Sequence, residues 1–507
     1  MSSKFYLCIH GHFYQPPREN PWTGEIQNEP SAAPFNNWNE RILFECYKPN
    51  TEAEIIDLER NIVLEKVNNF KYLSFNFGPT LLQWIKKVHF ETFQKIIDAD
   101  RWSVNVHNGF GNAIAQAYNH IIMPLATRED KITQIRWGKK DFEYHYGRQP
   151  LGLWLPETAC DSFTIQAMID ENIKFTILDP SQAESIRKLG TSDWIDVSDG
   201  SIDTTCAYRI FDGTENRYID VFFYNAYLSK NIAFGDLAFD ASHFLNTVIS
   251  VVRDNVPEQL ISVVADGETF GHHKKFTERT LAYIFGRLVK EKEVSVVNFA
   301  EYLAVHPPQY EAKLKPGKDG LGTAWSCSHG MGRWMEDCGC STGGQPGWNQ
   351  KWRTPLRVAL NQLKRKLDAI FITEGSKFFK DVWFTRNNYI DLVLDSSDSN
   401  ILVFFNENSI KPLTNKEISI CIELLEMEKF SMFMFTSCGW FFSDISGIET
   451  IKILEYAVRA IELAEKISGA SLFEEFANML ENAKSNIPEY GTGKDILNSI
   501  RKRKYEV

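Results

Sequence analysis

The stretch "LISVVADGETFGHH" (residues 260–273) passes from a run that is apolar except for Ser262 into a cluster of two carboxylates and two imidazoles. An apolar run of this kind, without polar alternation, is typical of a strand buried on both faces of a parallel sheet. Where the strand is still extended, alternate residues share a face, so Asp266 and Glu268 are expected to point the same way. His272 and His273 follow directly. The stretch therefore predicts a parallel sheet with chemistry at the C-terminal end of a strand.

The same pattern recurs from residue 4 to about residue 300, where short β-rich runs alternate with longer helical patterns. This order is expected of a parallel sheet whose faces are covered by helices. The candidate strands are residues 4–10, 71–77, 102–107, 152–157, 174–179, 218–225, 260–268 and 294–299. The candidate helices between them include residues 52–67, 81–98 and 276–291.

Most of these candidate strands end in a polar residue. The residues concerned are His10, Asn76, His107, Glu157, Asp179, Asn225, Asp266 and Asn298. In a β/α barrel the C-terminal strand ends meet on one face, where the site is built. No glycine-rich phosphate loop follows the first strand, so we favour a TIM-like barrel, complete or lacking one strand, over an open nucleotide-binding sheet.

Two segments interrupt or end this pattern. Residues 191–223, rich in turn residues and alternating runs, are typical of a β-hairpin insertion. Residues 304–323 are heavy in Pro, Gly and Lys and are expected to form a linker. Beyond them, apolar residues recur at helical spacing, as in residues 418–425. We therefore predict an α/β catalytic barrel at 1–305 and a mostly α-helical C-terminal region at 306–507 that contributes to the site.

The composition limits the partners. The chain has 507 residues and a formal net charge of -11, which favours a neutral partner over nucleic acid or an anionic membrane. No apolar run of about 18 residues and no secretory signal are found, so a cytoplasmic location is expected. Nine Cys, an odd number, argue against a disulfide framework. Thirteen Trp and 18 Tyr suit the flat apolar faces of sugar rings.

Two polar clusters lie in the first 126 residues. "HGHFYQPPRENPW" (10–22) places His12 and Gln15 at the end of the first strand, before a Pro-Pro pair. "VHNGFGNAIAQAYNHIIMPLA" (106–126) has His107 at a candidate strand end and His120 in a helix-like run. In such a run Gln116, Asn119 and His120 would share one helix face.

A third cluster, "GLWLPETACD" (152–161), ends an apolar strand with Glu157 beside Trp154. A carboxylate among Trp, Leu and Pro is partly desolvated, which costs stability unless something uses or pairs it. Together, Glu157 and Asp266 supply two carboxylates from different strands. That pair is what a glycosidase needs: a nucleophile for the anomeric carbon and an acid for the leaving oxygen.

At these residues the chain resembles glycoside hydrolase family 57. The family's first motif is similar to "HFYQP" (12–16), with Tyr14 in place of its second His. Its third motif matches "WLPE" (154–157) and its fourth matches "DGETFG" (266–271). The resemblance implies an incomplete, seven-stranded barrel with a helical region. It also implies that Glu157 is the nucleophile and Asp266 the general acid/base of an enzyme acting on α-glucans by double displacement.

The family's remaining motifs are matched less closely. "YNHIIMPL" (118–125) is similar to the second, and "TAWSCSHGMGRWMEDCGC" (323–340) to the fifth. The resemblance is to a subgroup with an additional C-terminal helical domain. An oligo- or polysaccharide substrate is implied, without a cofactor or metal, and hydrolysis and glycosyl transfer both remain open. The candidate substrate-binding residues are His12, Gln15, His107, His120, Trp154, Glu268, His272, His273, His329, Arg333 and Trp334.

Three alternatives remain open from the sequence. Cys327, His329, Cys338 and Cys340 offer enough ligands for a zinc site, although thiols packed as small apolar groups are the favoured interpretation. A metal-dependent deacetylase or mannosidase would use His12, Asp266, His272 and His273 as ligands. A sugar-binding protein without turnover is the third alternative.

Overall fold

The computed structural model describes residues 5–57, 59–214, 216–254 and 256–503. Strands occupy β1 (Phe5–Phe13), β2 (Ala53–Asp57), β3 (Ile62–Val67), β4 (Ser74–Phe77), β5 (Ala115–Gln116), β6 (Leu153–Trp154), β7 (Phe175–Leu178), β8 (Ala183–Lys188), β9 (Ile195–Asp196), β10 (Ala207–Phe211), β11 (Tyr218–Phe223), β12 (Gln259–Asp266), β13 (Ser295–Val296) and β14 (Tyr310–Leu314).

The α-helices are α1 (Trp38–Ile42), α2 (Lys48–Thr51), α3 (Pro79–Val88), α4 (Phe90–Val106), α5 (Arg128–Tyr146), α6 (Ser162–Asp170), α7 (Ala226–Phe234), α8 (Ala241–Ser250), α9 (Thr277–Tyr283), α10 (Val289–Glu291), α11 (Phe299–Val305), α12 (Arg353–Gly375), α13 (Val382–Asn388), α14 (Ile390–Leu394), α15 (Asp398–Asn408), α16 (Asn415–Phe433), α17 (Cys438–Phe441), α18 (Ile448–Ser468), α19 (Phe473–Met479) and α20 (Gly493–Arg503). Among the described helices, none combines the length and the apolar composition that crossing a bilayer requires.

The chain forms two compact units. The first holds residues 1–15, 28–117 and 142–316, and the second holds residues 16–27, 118–141 and 317–507. The first unit contains the strands and the helices that alternate with them. The second is built mainly from long helices, which confirms the predicted helical C-terminal region.

Strand β1 lies at the centre of the sheet in the first unit. It pairs in parallel with β12 on one side and with β4 on the other. Its residues Leu7, Cys8 and Ile9 are almost fully buried, as expected of a parallel strand covered on both faces.

The parallel pairing continues from β4 through four more strands. An isolated bridge joins Phe75 to Ala113 just before β5, and β5 pairs with β6. A second bridge joins Gly152 to Phe175, and β7 then pairs with β11. After β11, Asn225 N donates to the Ser262 carbonyl of β12 at 2.9 Å. The strand order is therefore β12-β1-β4-β5-β6-β7-β11, with a hydrogen bond from beyond β11 to β12.

Antiparallel strands extend the sheet beyond β11. Within residues 191–223, β10 and β11 form an antiparallel hairpin, and β14 pairs with both β10 and β8. The prediction of a linker at 304–323 is wrong, because β14 lies inside it. Glu311 and Ala312 of Tyr310–Leu314 are buried, and Pro, Gly and most of the Lys residues lie outside the strand.

Two predicted elements have the opposite secondary structure. Residues 102–107 are not a strand, because α4 runs from Phe90 to Val106 and buries Ile96, Asp100 and Ser103 at helical spacing. Residues 52–67 are not a helix but the hairpin β2-β3. Ala53, Ile55 and Val67 are buried there beside Ala282, so strand alternation decides the structure.

The longest helices of the second unit are α12, α16 and α18. Along α16, Cys421, Leu424 and Leu425 are fully buried, as the helical spacing predicts. A capping box begins this helix, in which Thr414 and Glu417 each accept from the other's backbone N–H. Helix α16 is therefore stabilised both by its capping box and by the burial of its apolar residues.

A buried ionic cluster holds the helices of the second unit together. Lys364 of α12 lies 3.2 Å from Asp130 of α5 and 3.3 Å from Glu428 of α16, and it also contacts Asp368. Arg386 of α13 lies 2.9 Å from Asp130 and 2.7 Å from Glu428. Coulombic attraction to Asp130, then to Glu428, outweighs burial and raises the pKa of Lys364. Each charge in the cluster therefore depends on its partners.

Replacing Lys364 by Met should destabilise the protein by about 3–5 kcal/mol, because it leaves buried carboxylates with one cation fewer. The matched control is Lys366→Met on the same helix. Lys366 is exposed and pairs with Glu475, so its loss should cost less than about 1 kcal/mol. Urea unfolding followed by circular dichroism measures both values. Equal losses for the two variants would contradict this description of the cluster.

Candidate active site

A polar residue occurs at or just beyond the C-terminal end of each strand in the parallel order β12-β1-β4-β5-β6-β7-β11. These residues are Asp266, His12, Asn76, Gln116, Glu157, Asp179 and Tyr224. Parallel strands place their C-terminal ends at the same edge, so these side chains are assembled by the sheet itself. All seven lie in the first unit.

Glu157 is held in an unusual backbone conformation. Strand β6 ends at Trp154, Pro156 follows, and Glu157 has φ 57° and ψ 20°. Thr158 also has a positive φ, of 50°, which is rare for a β-branched residue. Such left-handed residues cost on the order of 1–3 kcal/mol each and persist only where the surroundings fix them.

Gln182 fixes this turn from the neighbouring loop. Thr158 Oγ1 donates to Gln182 Oε1, and Gln182 Nε2 donates to the Thr158 carbonyl, both at 2.9 Å. Gln182 therefore holds the left-handed turn that carries Glu157.

Asp266 is the last residue of β12, paired in register with His12 of β1. Its side chain is exposed, yet the surrounding protein is dense enough to desolvate the carboxyl group. That combination describes a carboxyl group lining a recess. Desolvation, and secondarily the negative charge of Glu157, raise the pKa of Asp266 to about 7. The two carboxyl groups therefore interact electrostatically.

A buried hydrogen-bond network connects the ends of β1, β4 and β5. Asn76 Nδ2 donates to His12 Nδ1 at 2.9 Å and to Gln116 Oε1 at 2.8 Å. Asn76 Oδ1 accepts from His10 Nε2 at 3.1 Å, and Ser74 Oγ donates to His10 Nδ1 at 3.0 Å. With this assignment Asn76 and His10 each donate and accept, and the proton of His12 lies on Nε2. Burial lowers the pKa of both histidines to about 3, so each is a neutral imidazole at neutral pH.

His12 is also part of an aromatic stack. Its ring lies 4.8 Å from Trp154 and 5.7 Å from Tyr14, with interplanar angles of 21° and 10°. Trp154 is fully buried and stacks on His10 as well, at 5.2 Å. Trp154 thus stacks on both histidines, and Tyr14 stacks on His12.

Glu268, two residues after Asp266, is buried. Its Oε1 accepts from the Tyr47 hydroxyl at 2.6 Å and from Tyr14 N at 2.9 Å. Burial raises the pKa of Glu268 to about 8, although the Tyr47 hydrogen bond opposes the rise and the nearby charge of Asp266 adds to it. At neutral pH Glu268 is therefore mostly a neutral acid.

The pKa of Glu268 predicts a pH-dependent stability. The unfolded chain releases this proton near pH 4.5, whereas the folded chain holds it to about pH 8. Unfolding between these values releases a proton, so stability should fall as pH rises through that range. In Glu268→Gln the amide oxygen still accepts both hydrogen bonds and there is no proton to lose.

We expect the Tm of the wild-type protein to fall more steeply between about pH 5 and pH 8 than that of Glu268→Gln. The exposed residue Glu293 offers a control, because Glu293→Gln should follow the wild type. Differential scanning calorimetry across this pH range makes the comparison. Parallel Tm curves for the wild type and Glu268→Gln would contradict the assignment.

A third carboxylate lies near the pair. The Tyr224 hydroxyl donates to Asp179 at 2.5 Å, joining the ends of β11 and β7. Burial, Asp179 and Asp266 all raise the pKa of Tyr224, which keeps its hydroxyl protonated. Sequence reasoning noted Asp179 as a strand end but did not include it among the site residues.

His272 and His273 follow Asp266 in the loop after β12. His272 Nδ1 pairs with Glu45, and burial lowers the pKa of His273 to about 4. Gly271 has φ 131°, and a Cβ there would lie 2.3 Å from the Glu45 carbonyl oxygen, so only glycine fits. Among the described residues, His12, Asp266, His272 and His273 do not form a group with converging ligand atoms.

Sequence comparison is consistent with this assembly of strand-end residues. The sequence profile described as "Glycosyl hydrolase family 57" matches residues 5–315. The chain belongs to glycosyl hydrolase family 57. A second profile, "Domain of unknown function (DUF3536)", matches residues 348–504. The resemblance inferred from the motifs, including the additional C-terminal domain, is thereby confirmed.

One protein with sequence similarity to this chain is Alpha-amylase 1 of Dictyoglomus thermophilum. It is 25% identical over 115 residues, which are 22% of this chain and 16% of that protein. The match thus spans about a sixth of the relative's length.

Solved structures of related enzymes share the α/β fold with a helical C-terminal region. An exo-type maltose-forming amylase from Pyrococcus sp. ST04 superposes with a TM-score of 0.70 at 14% identity, covering 98% of this chain and 92% of that one. A family-57 branching enzyme from Thermococcus kodakaraensis gives 0.55 at 14% identity, covering 98% and 94%. The 4-alpha-glucanotransferase of Thermococcus litoralis gives 0.53 at 16% identity, covering 92% and 60%.

The first family motif, residues 12–16, occupies the end of β1. Besides His12 it contains Gln15, whose Nε2 donates to the Tyr14 carbonyl at 2.9 Å and whose side chain also reaches Tyr47. Gln15 thus belongs to the same polar group as Glu268.

His107 does not end a strand, contrary to the sequence prediction. It follows α4 and precedes β5, so it lies towards the N-terminal ends of the strands, and its Nδ1 pairs with Glu301 Oε2 at 2.6 Å. The apolar run before it is helical, which moves His107 away from the edge that carries Glu157 and Asp266.

The predicted helix face of Gln116, Asn119 and His120 is also wrong. Gln116 ends β5 in the first unit, whereas His120 lies in the second with φ 60°. His120 Nδ1 lies 2.6 Å from Ser437 Oγ. The family's fifth motif lies in the second unit too, where His329 is exposed and Arg333 and Trp334 are buried.

Proposed function

We propose that this chain is a retaining glycoside hydrolase or glycosyl-transferring enzyme that acts on α-linked glucans. Glu157 is the nucleophile that attacks the anomeric carbon, and Asp266 protonates the leaving oxygen. Asp266 then takes the proton from the incoming water or sugar hydroxyl as the covalent glycosyl-enzyme is released. Catalysis is assigned to residues 1–305, and the region 306–507 is mostly helical apart from β14.

The observation that carries this proposal is the electrostatic coupling of the two carboxyl groups. Desolvation and Glu157 raise the pKa of Asp266 to about 7, so Asp266 holds a proton below that pH. When the environments of two carboxyl groups give them different pKa values, the group with the higher pKa can act as the acid and the other as the nucleophile. The fixed, left-handed turn at Glu157 supports the assignment of the nucleophile.

The remaining strand-end residues are assigned to substrate binding and positioning. A neutral His12 with its proton on Nε2 is suited to donate to a sugar hydroxyl. Trp154 positions His12 through the stack, and neutral Glu268 keeps a second negative charge away from Asp266. His272, His273 and Gln15 remain candidates for contact with the sugar. His120, Arg333 and Trp334 stay candidates in the second unit.

We further propose that the sheet of the first unit is an incomplete (β/α)7 barrel. The order β12-β1-β4-β5-β6-β7-β11 contains seven strands in parallel orientation. The hydrogen bond from Asn225 N to the Ser262 carbonyl supports closure between β11 and β12. In such a barrel the seven polar strand ends would surround one opening.

The α-glucan substrate is inferred from the amylase, branching enzyme and glucanotransferase names of the related proteins. To test it, the protein is incubated with maltooligosaccharides of defined length, and with β-linked cellooligosaccharides as the control. Chromatography of the products separates the outcomes. Shorter chains indicate hydrolysis, and a ladder of longer chains indicates transfer. Unchanged maltooligosaccharides would contradict the proposed substrate class.

A further inference from the structure

Four side chains with metal-binding atoms converge inside the second unit, and none of them belongs to the proposed catalytic pair. They are Cys327, His329, Cys338 and Cys340, and their ligand atoms all lie within 4.8 Å of one another. In the part of the chain that the structure describes, no other group of His, Cys, Asp or Glu converges in this way. The favoured sequence interpretation, in which the thiols pack as small apolar groups, does not account for this convergence with His329.

We propose that these four side chains bind one Zn²⁺ ion as a structural Cys₃His site. Tetrahedral zinc with Zn–S of about 2.3 Å and Zn–N of about 2.0–2.1 Å places two sulfurs about 3.8 Å apart and a sulfur and a nitrogen about 3.6 Å apart. The Cys327 and Cys338 sulfurs are 3.9 Å apart, and Cys340 Sγ lies 3.5 Å from His329 Nδ1. These two distances match a tetrahedral site, and the remaining pairs of ligand atoms lie within 4.8 Å.

A disulfide does not explain the same geometry. A disulfide joins its sulfurs at about 2.05 Å, roughly half the distance between Cys327 and Cys338. All three cysteines are free in the structure. Three thiols and an imidazole held this close, without a covalent bond, are a ligand set for a soft or borderline cation.

The backbone around the cluster is shaped to bring the thiols together. A Cβ on Gly332 would lie 2.8 Å from Cys338 Cβ, so glycine is needed there. Gly339, between Cys338 and Cys340, has φ 84° and turns the chain tightly. Backbone N–H groups of His329 and Arg333 donate to the Cys327 sulfur. Such hydrogen bonds stabilise a metal-bound thiolate.

The charges nearby also suit an anionic centre. Zinc with three thiolates and a neutral imidazole carries one net negative charge. Arg353 is fully buried and its Nη1 donates to the Cys340 carbonyl at 2.8 Å. Arg333, also buried, donates to the Phe441 carbonyl at 3.1 Å. An anionic metal centre beside these two guanidinium groups offsets their mutual repulsion.

Four protein ligands leave no open position for water, which is the arrangement of a structural rather than a catalytic zinc site. Residues 317–352 contain only two short 3₁₀ segments, Lys318–Gly320 and Gly332–Trp334. Because this long stretch has few backbone hydrogen bonds from helices or strands, a bound metal would contribute much of its stability. His329 serves as a ligand in this arrangement rather than as a sugar contact.

The test measures metal in the full-length protein. We expect about one zinc per chain by elemental mass spectrometry after expression with zinc, and tetrahedral thiolate absorption bands after replacement by Co²⁺. Cys338→Ser together with Cys340→Ser should abolish zinc binding. Cys438→Ser, a partly exposed cysteine of the same unit outside the cluster, should retain it.

Stability gives an independent readout. A strong chelator should lower the Tm of the wild type and of Cys438→Ser, because metal binding is coupled to folding of the segment. Absence of bound zinc in the wild type, a Co²⁺ spectrum without tetrahedral thiolate bands, or a Cys327–Cys338 disulfide found by peptide mapping would each overturn the proposal. Because the Co²⁺ spectrum uses the wild type, it holds even if the double variant fails to fold. Glu157→Gln should bind zinc normally, which separates this proposal from the catalytic one.

Discussion

Glu157→Gln should lose turnover of α-glucans by on the order of 10⁴- to 10⁶-fold while it still binds them. The amide keeps the shape of the side chain but cannot form the covalent bond to the anomeric carbon. Binding should persist because the strand-end residues around it are unchanged. Initial rates with a maltooligosaccharide, together with isothermal titration calorimetry, measure the two quantities separately.

Glu293→Gln is the matched control for this variant. Glu293 is an exposed glutamate that also has a positive φ, of 55°, so the same chemical change is made in a similar backbone conformation. Its activity should equal that of the wild type. If Glu157→Gln retained turnover, the protein would not use Glu157 as its nucleophile. If the wild type bound α-glucans without turnover, a sugar-binding role would replace the enzyme.

Asp266→Asn should lower kcat/KM by about 10²- to 10⁴-fold on substrates with a sugar leaving group. The loss should be much smaller for formation of the glycosyl-enzyme from a glycosyl fluoride, because fluoride leaves without a proton. This contrast distinguishes a missing acid from a damaged site. An equal loss on both kinds of substrate would contradict the acid role of Asp266.

The pH dependence of the wild type provides the second part of this prediction. Asp266 must carry its proton to act as the acid, and its pKa is raised to about 7. The value of kcat/KM should therefore fall as pH rises through about 7. In Asp266→Asn this alkaline limb should disappear. Glu157→Gln removes the negative charge beside Asp266, so the pKa of Asp266 should fall. NMR of the carboxyl group can measure this change.

The sequence predicts the strand-end chemistry best where a buried strand is continuous. Val263 and Val264 lie in an unbroken apolar run, so the position of Asp266 at its end follows from the sequence alone. Residues 102–107 have no such length, and only the packing of α4 decides that they are helical. His107 is misplaced for that reason.

Contacts between distant segments are not predictable in the same way. Asn76 meets His12 and Gln116 because β4 lies between β1 and β5, which no local pattern specifies. Tyr47 reaches Glu268 from 221 positions away in the chain. The convergence of Cys327 and Cys338 depends on glycines in an irregular loop, where no helical or strand period fixes which side chains meet.

We expect a covalent bond to form between the sugar and Glu157. Asp266 first donates a proton to the leaving oxygen and then takes one back. The most direct measurement treats Asp266→Asn with α-maltotriosyl fluoride, stops the reaction rapidly, and maps the modified peptide by mass spectrometry. We expect the glycosyl group on the peptide that contains Glu157, attached to its carboxylate. A glycosyl group on another carboxylate such as Asp179, or no adduct together with an inverted anomeric product from the wild type, would contradict the account.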